Sequence, residues 1–583
     1  MSTLPATVAR GWPLARFLRL RSAPSPADFA VFILLAAAAV LIVRGTGEMT
    51  APLAGLKTVP VTLDLARLPE YALRTTLRMF AALGASLLFT FTVATLAAKS
   101  KKAEMVIIPA LDILQSVPVL GFLTFTVTFF VGLFPGRQLG IECASIFAVF
   151  TAQAWNMAFS FYQSLRNVPN DLDEVSRQFG FSAWRRFIRL DLPFATPSLV
   201  WNIMMSMSGG WFFVVASEAI TVGKTTITLP GIGSWLALAI ARQDMRAVAT
   251  GVGAMAVVIL LYDQLVFRPI VAWADKFRFE QTASQDVPHS WLYDAIRRTR
   301  WLRAVFQALA WPGAVLARID WTPPRLAPVR LGREGNRLVD ALWIALITAA
   351  VVWAVFILAQ YISITLHWSD IWAVTKFALA TLLRVILMII VASLIWVPIG
   401  VWIGLRPLWA ERLQPVAQFL AAFPANVLFP FAVVIIVAWR LDPNIWLTPL
   451  IIVGTQWYIL FNVIAGASAI STDIKEAARI FGIGGWQWWR QVTLPAIFPY
   501  YITGALTASG GSWNASIVAE AVNWGHQHLE AFGLGAYIAK ATAAGDGARV
   551  ALGVAVMSVF VILLNRAVWR PLYRYGERRL RLD

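Results

Sequence analysis

Glu218 and Glu520 are the two residues whose type and place most invite chemistry. Each ends an apolar stretch close to the ~20 residues that cross a bilayer. Each follows a tryptophan, Trp211 or Trp513, by seven residues. Seven residues are two helical turns, so each tryptophan shares a helix face with its glutamate. A carboxylate at the end of a span is costly unless it is paired or meets water, which marks it as a candidate pathway group. The competing reading is a helix-end carboxylate that pairs with Arg242 or Lys540 or caps a loop; a bare carboxylate is a poor ligand for an anion. Gln153, Asn156, Asn202, Gln456 and Asn514 are polar groups inside apolar stretches. They can hydrogen-bond a passing solute or tie helices together. Trp211 and Trp513 can gate a pathway, or pack and anchor as most of the 27 tryptophans must.

Other chemistries lack their residues. One cysteine, Cys143, leaves no internal disulfide and no multi-cysteine metal site. Of four histidines only His526 and His528 are neighbours, and no further ligands join them. Gly223-Lys224-Thr225 lacks the upstream glycine of a phosphate-binding loop. The chain is therefore expected to be no enzyme, to carry no cofactor or metal of its own, and to hydrolyse no ATP alone.

The elements that hold these residues are set by composition. Of 583 residues, 59% are hydrophobic and 14% charged, well below the ~25% charge of a soluble chain. The apolar residues fall in long runs, near 27–44, 71–98, 112–133, 139–161, 195–220 and 247–268, then 339–362, 372–404, 416–439, 445–466, 496–522 and 547–569. This predicts an all-α membrane protein with about twelve transmembrane helices in two groups of six. The formal charge of +18 lies in short stretches beside these runs. Such flanks mark a cytoplasmic side, not a nucleic-acid surface. The expected organisation is a basic cytoplasmic segment 1–27, a first half 28–271, a basic cytoplasmic linker 272–337, a second half 338–572 and a basic tail 573–583. Both termini are placed in the cytoplasm of a multi-pass protein of the cell (inner) membrane.

The halves are copies. Trp155 pairs with Trp457, Glu174 with Glu476, Arg177 with Arg479, Trp211 with Trp513, Glu218 with Glu520, Asp244 with Asp546 and Arg268-Pro269 with Arg570-Pro571, each 302 positions apart. Both copies run in the same direction, so the repeats are parallel, with an axis along the membrane normal. An ion-coupled secondary transporter, the alternative class, is expected to carry inverted repeats and intramembrane coupling charges.

Between the fourth and fifth spans of each half lies a polar segment, 167–193 and 469–495. The first reads Asp173-Glu174-Val175-Ser176-Arg177-Gln178-Phe179-Gly180, then Leu192-Pro193. The second reads Lys475-Glu476-Ala477-Ala478-Arg479-Ile480-Phe481-Gly482, then Leu494-Pro495. The pattern predicts a short helix, a turn and a second helix. Asp171 or Asp473 can cap the first helix, Gly180 or Gly482 ends it in the left-handed region, and the proline starts the next. Such a knob, with Phe179 or Phe481 on it, can insert into a partner's groove.

Here the chain resembles the permease subunits of type I ABC importers. Glu476-Ala477-Ala478 with Gly482 and Leu494-Pro495 matches the family's "EAA" loop; in the first half Val175 and Ser176 replace the alanines. In that family the loop docks into a cleft on each ATPase subunit, and ATP-driven closure swings the halves between inward- and outward-facing states. The resemblance implies two separate ABC ATPase subunits, which carry the ATP and Mg, and a periplasmic or lipid-anchored substrate-binding protein. It makes Glu174, Arg177, Phe179, Gly180, Glu476, Ala477, Ala478, Arg479, Phe481 and Gly482 the coupling residues. Trp211 to Glu218-Ala219 followed by Leu229-Pro230-Gly231-Ile232-Gly233 is similar to the nitrate, sulfonate, taurine and bicarbonate branch, which implies a small anion as substrate.

Overall fold

The computed structural model describes residues 61–222, 225–277, 290, 292–294, scattered positions between 341 and 363, and 366–579. The expected first span, the N-terminal segment, most of the linker and much of the expected seventh span lie outside the described residues. By their contacts the described residues form two compact units. One holds 168–197 and 264–277; the other holds 61–167, 198–263 and 366–579.

The first half contains α1 (Leu65–Lys99), α2 (Lys101–Ser116), α3 (Leu123–Leu133), α4 (Gln138–Arg166), α5 (Asn170–Gln178), α6 (Ala183–Ser217), α7 (Ile232–Ala241) and α8 (Met245–Ala274). The second repeats the order as α9 (Trp368–Gly404), α10 (Pro407–Ala422), α11 (Phe429–Ala438), α12 (Gln456–Ser468), α13 (Thr472–Ile480), α14 (Leu494–Ala519), α15 (Leu534–Ala544) and α16 (Gly547–Gly576). Among the described residues five helices are long and apolar enough to cross a membrane, or seven if each of two bent pairs is one span. The expected twelve include spans that lie outside the described residues, so these helices do not give the total. Polar side chains dilute two long helices: Glu142, Gln153 and Asn156 on α4, and Thr503, Thr507 and Asn514 on α14.

Prolines break two of the expected spans. A residue before proline is pushed out of the helical region, and Val117 and Phe423 both sit at extended ψ, 125° and 124°. A 3₁₀ turn follows each, Val119–Phe122 and Ala425–Leu428. In the second half the chain bends by 83° there. Caps fix the last helix of each half. Asp244 accepts from the backbone N–H groups of Arg246 and Ala247, both at 3.0 Å, and Asp546 accepts from Arg549 N at 3.0 Å.

The fold is not purely helical. Directly after Glu218 and Glu520 the chain forms antiparallel hairpins: β1 (Ala219–Val222) with β2 (Thr225–Thr228), and β3 (Ala521–Trp524) with β4 (Gln527–Glu530). β-branched residues favour this extended backbone. The Leu-Pro step of the first half does not start a helix either. α6 begins at Ala183, and Leu192-Pro193 lies inside it after a π-turn, Phe187–Asp191. In the second half Gly485–Trp488 and the π-turn Trp489–Thr493 lead into α14, which does open on Leu494-Pro495. Widening the ladder just before a proline suits a residue with no N–H to give.

Candidate functional site

The two polar segments form as helix–turn–helix units. In the first, α5 ends where Gly180 takes φ 63°; in the second, α13 ends where Gly482 takes φ 65°. Phe181 N donates to Ser176 O at 3.0 Å and Ile483 N to Ala478 O at 2.8 Å. These six-to-one bonds satisfy carbonyls that a helix end leaves open. The caps differ from expectation. Pro169 precedes α5 without a side-chain bond, and Asp171 lies in its first turn. Ser471, not Asp473, caps α13 by accepting from Ile474 N at 3.4 Å.

The coupling candidates divide by exposure. Phe179 and Phe481 are 74% and 79% exposed, and Glu174, Arg177, Glu476, Ala477 and Arg479 are exposed too. Ser176 and Ala478, the last position of the motif, are buried within their own units, and the Ser176 hydroxyl donates to Asp173 O at 2.7 Å. Of the two replacements in the first loop, only Val175 faces outward. That loop is also braced by ions: Asp173 pairs with Arg177 at 2.8 Å and with Arg186. The corresponding residues of the second loop are Lys475, Arg479 and Trp488.

The two marked glutamates sit in buried clusters. Glu218 and Glu520 are 0% and 1% exposed. Arg78 on α1 donates through Nη1 to Glu218 Oε1 at 2.7 Å and to Pro230 O at 2.9 Å. Its Nε and Nη2 reach both oxygens of Glu142 at 2.5 and 2.8 Å. Thr75 donates to Glu218 Oε1 at 2.7 Å and accepts from Ile232 N at 3.0 Å; Gly233 N donates to Glu218 Oε2 at 2.7 Å. In the second half Arg384 takes Glu520 Oε1 at 3.1 Å and Phe532 O at 3.0 Å. Thr381 donates to Glu520 at 2.8 Å and accepts from Leu534 N at 2.8 Å, and Gly535 N donates to Glu520 at 2.7 Å. A Cβ at Gly231 or Gly533 would overlap the carboxylate. Neither glutamate pairs with the expected Arg242 or Lys540; Lys540 lies 3.6 Å from Glu530. Each cluster pins the end of a long helix, the hairpin and the next helix N-terminus to the first helix of its half.

Arg78, Thr75, Glu142, Arg384, Thr381 and Asn444 were not among the residues singled out. A signal for them existed. Thr75-x-x-Arg78 and Thr381-x-x-Arg384 repeat at 306 positions, not 302. The four-residue difference enters between the prolines Pro118 and Pro424, still 306 apart, and Glu142 and Asn444, 302 apart.

The remaining pathway candidates are all engaged in packing or hydrogen bonds. Trp211 and Trp513 are buried at 0% and 1% exposure, and Trp211 meets Tyr262 edge to face, ring centroids 5.6 Å apart. Gln153 is buried between Met79 and Met207. Gln115 donates to Asn156 at 2.9 Å, and Trp396 Nε1 donates to Gln456 at 2.9 Å. Asn514 reaches into the other half, where its Oδ1 accepts from Val119 N at 2.7 Å; in return, Asn426 of the second half donates to Phe212 O at 3.2 Å. The hairpin end also bridges halves. Gly525 N donates to Ile240 O at 3.1 Å and Gln243 Nε2 to Trp524 O at 3.3 Å, with Gln243 held at φ 54°.

Two copies of one helical unit, each with an exposed helix–turn–helix knob and a hairpin locked to α1 or α9, follow one another in the chain. The family model "binding-protein-dependent transport system inner membrane component" matches residues 86–268 and again 396–581. The chain belongs to that family, with two copies of its domain in one polypeptide. Among curated proteins it is 29% identical over 189 residues to the nitrate import permease protein NrtB of Leptolyngbya laminosa, covering 32% of this chain and 64% of that one. It is 30% identical over 190 residues to the bicarbonate transport system permease protein CmpB of Synechococcus elongatus, covering 33% and 65%. It is 27% identical over 168 residues to the glycine betaine/proline betaine transport system permease protein ProW of Escherichia coli, covering 29% and 43%. The matched segments thus span less than two thirds of these relatives' length.

Proposed function

We propose that this chain is the membrane-spanning subunit of an ATP-driven importer for a small anion of the nitrate, sulfonate, taurine or bicarbonate kind. Two separate ABC ATPase subunits, which bind the ATP and Mg, dock on the knobs 167–193 and 469–495. A periplasmic or lipid-anchored binding protein delivers the solute from the other side. The chain sits in the inner membrane with both termini in the cytoplasm, and it is not itself an enzyme. The observation that carries this reading is the matched pair of exposed knobs, each ended by a left-handed glycine and each presenting a phenylalanine more than 70% exposed. A bare aromatic ring on a polar turn suits insertion into a partner's groove. The family, and relatives named for nitrate and bicarbonate transport, support the class and the anion. An ion-coupled mechanism would need intramembrane charges able to bind the coupling ion; Arg78, Glu142, Glu218, Arg384 and Glu520 are all paired with one another.

The test is the double variant Glu174→Lys, Glu476→Lys. Both side chains are exposed, so folding is expected to survive. Co-purification of the ATPase and solute uptake should both drop at least tenfold. Undiminished retention and uptake would remove the coupling role.

A further inference from the structure

The long helix before each hairpin turns one face toward the opposite half. On α6 three contacts fix that face: Gln418 reaches Met204 Sδ, Asn426 donates to Phe212 O at 3.2 Å, and Gly209 lies against the Tyr458 hydroxyl. On α14 it is fixed by Asn514, bound to Val119 N. Steps of 4, 7 and 11 residues back along a helix stay within about 40° of one face. From Asn514 they reach Gly510, Thr507 and Thr503; from Phe212 they reach Ser208, Met205 and Trp201. The two sets stand 302 positions apart and share one burial pattern. Trp201 and Thr503 are exposed, and the other three of each set are half-buried. Nothing lies within 4 Å of a Cβ built at Gly510. The halves touch where Asn514 and Phe212 sit, and along each face exposure rises toward Thr503 and Trp201.

The same geometry carries opposite chemistry. The second-half face is Thr503, Thr507, Gly510 and Asn514; the first-half face is Trp201, Met205, Ser208 and Phe212. We propose that the second half alone reads the transported solute, through the Thr503 and Thr507 hydroxyls, while Trp201 and Met205 form an apolar wall opposite. This rests on the permease function proposed above. Each hydroxyl now donates to a carbonyl one turn back, Pro499 O at 3.1 Å and Thr503 O at 2.9 Å. Such local bonds exchange readily for a bond to a ligand. The face presents hydroxyls and an amide but no fixed charge, which fits a small oxyanion that must be held weakly enough to leave.

The test uses the whole chain in its native membrane with Cys143→Ser, which leaves no other cysteine. Thr507→Cys should react with a charged, water-soluble methanethiosulfonate at least tenfold faster than Leu563→Cys, an exposed apolar position on α16. Equal rates would mean that the stripe faces lipid and would overturn the proposal. Labelling needs no known substrate. Uptake is then measured with whichever of nitrate, bicarbonate, taurine or glycine betaine the wild-type transporter moves. Thr507→Val should raise KM about tenfold, the scale of one lost hydrogen bond, and Met205→Leu and Trp201→Leu less than twofold. If Trp201→Leu abolishes uptake while Thr507→Val is silent, the aromatic wall reads the solute instead. A transporter that retains its ATPase yet fails these tests loses this proposal alone.

Discussion

The two halves lock their hairpins with the same bonds but unequal charge. In the first half Arg78 serves two buried carboxylates, Glu142 and Glu218, while Arg74, one turn earlier, pairs with Glu70 at 2.9 Å. In the second half Asn444 stands where Glu142 stands and Ala380 where Arg74 stands, leaving Arg384 and Glu520. Lys376 stands where Glu70, the partner of Arg74, stands, so the charges around the two clusters differ. The amide of Asn444 still holds Arg384 at 3.3 Å and Phe532 N at 2.8 Å. The shared hydrogen bonds therefore define the lock. The second carboxylate on Arg78 is the first half's own addition, and losing Arg78 would strand both.

The largest way to break this comparison is Arg78→Met, which strands two buried carboxylates. A loss of about 3–5 kcal/mol is expected, read as a collapse of monodisperse protein after detergent extraction. Arg384→Met strands one carboxylate beside a neutral amide and should cost less; equal losses would mean that Glu142 adds nothing. Next comes Gly533→Ala or Gly231→Ala, each forcing a methyl into a carboxylate, at about 1–3 kcal/mol. Similar melting-temperature drops at both sites would confirm that the lock is common to the halves. Third, Glu142→Asn gives Arg78 the kind of partners that Arg384 has. It should cost about 1.5 kcal/mol, the scale of a hydrogen bond to a charged group, read as a lower melting temperature. An unchanged melting temperature would show that an amide serves Arg78 as well as the carboxylate does. The smallest effect is Ser471→Ala, about 1 kcal/mol from the lost cap of α13. It should appear as faster proteolysis of the second knob only, since α5 has no side-chain cap to lose.

Much of this was legible in the sequence. The offset of 302 related Asp244 to Asp546 and Gly180 to Gly482, and each pair does the same backbone work in the structure. The same offset hid the clusters, because it sets Arg78 against Ala380. Only the spacing Thr-x-x-Arg, shifted by four, aligns the first helices. The hairpins were missed because strands of four residues are too short to set an alternation apart from the apolar helices before them. Leu192-Pro193 looked like a helix start because a π-turn leaves no mark on residue type. The partners of Glu218 are set by tertiary contact across 140 residues of chain, a distance at which local pattern carries no information.

Joining both copies in one polypeptide has a consequence of its own. An assembly of two identical subunits repeats every substitution, so neither wall of its passage can change without the other. Here Thr507 and Met205 occupy equivalent places and are encoded separately. Covalent fusion lets the two equivalent faces differ, and it fixes their stoichiometry at one to one.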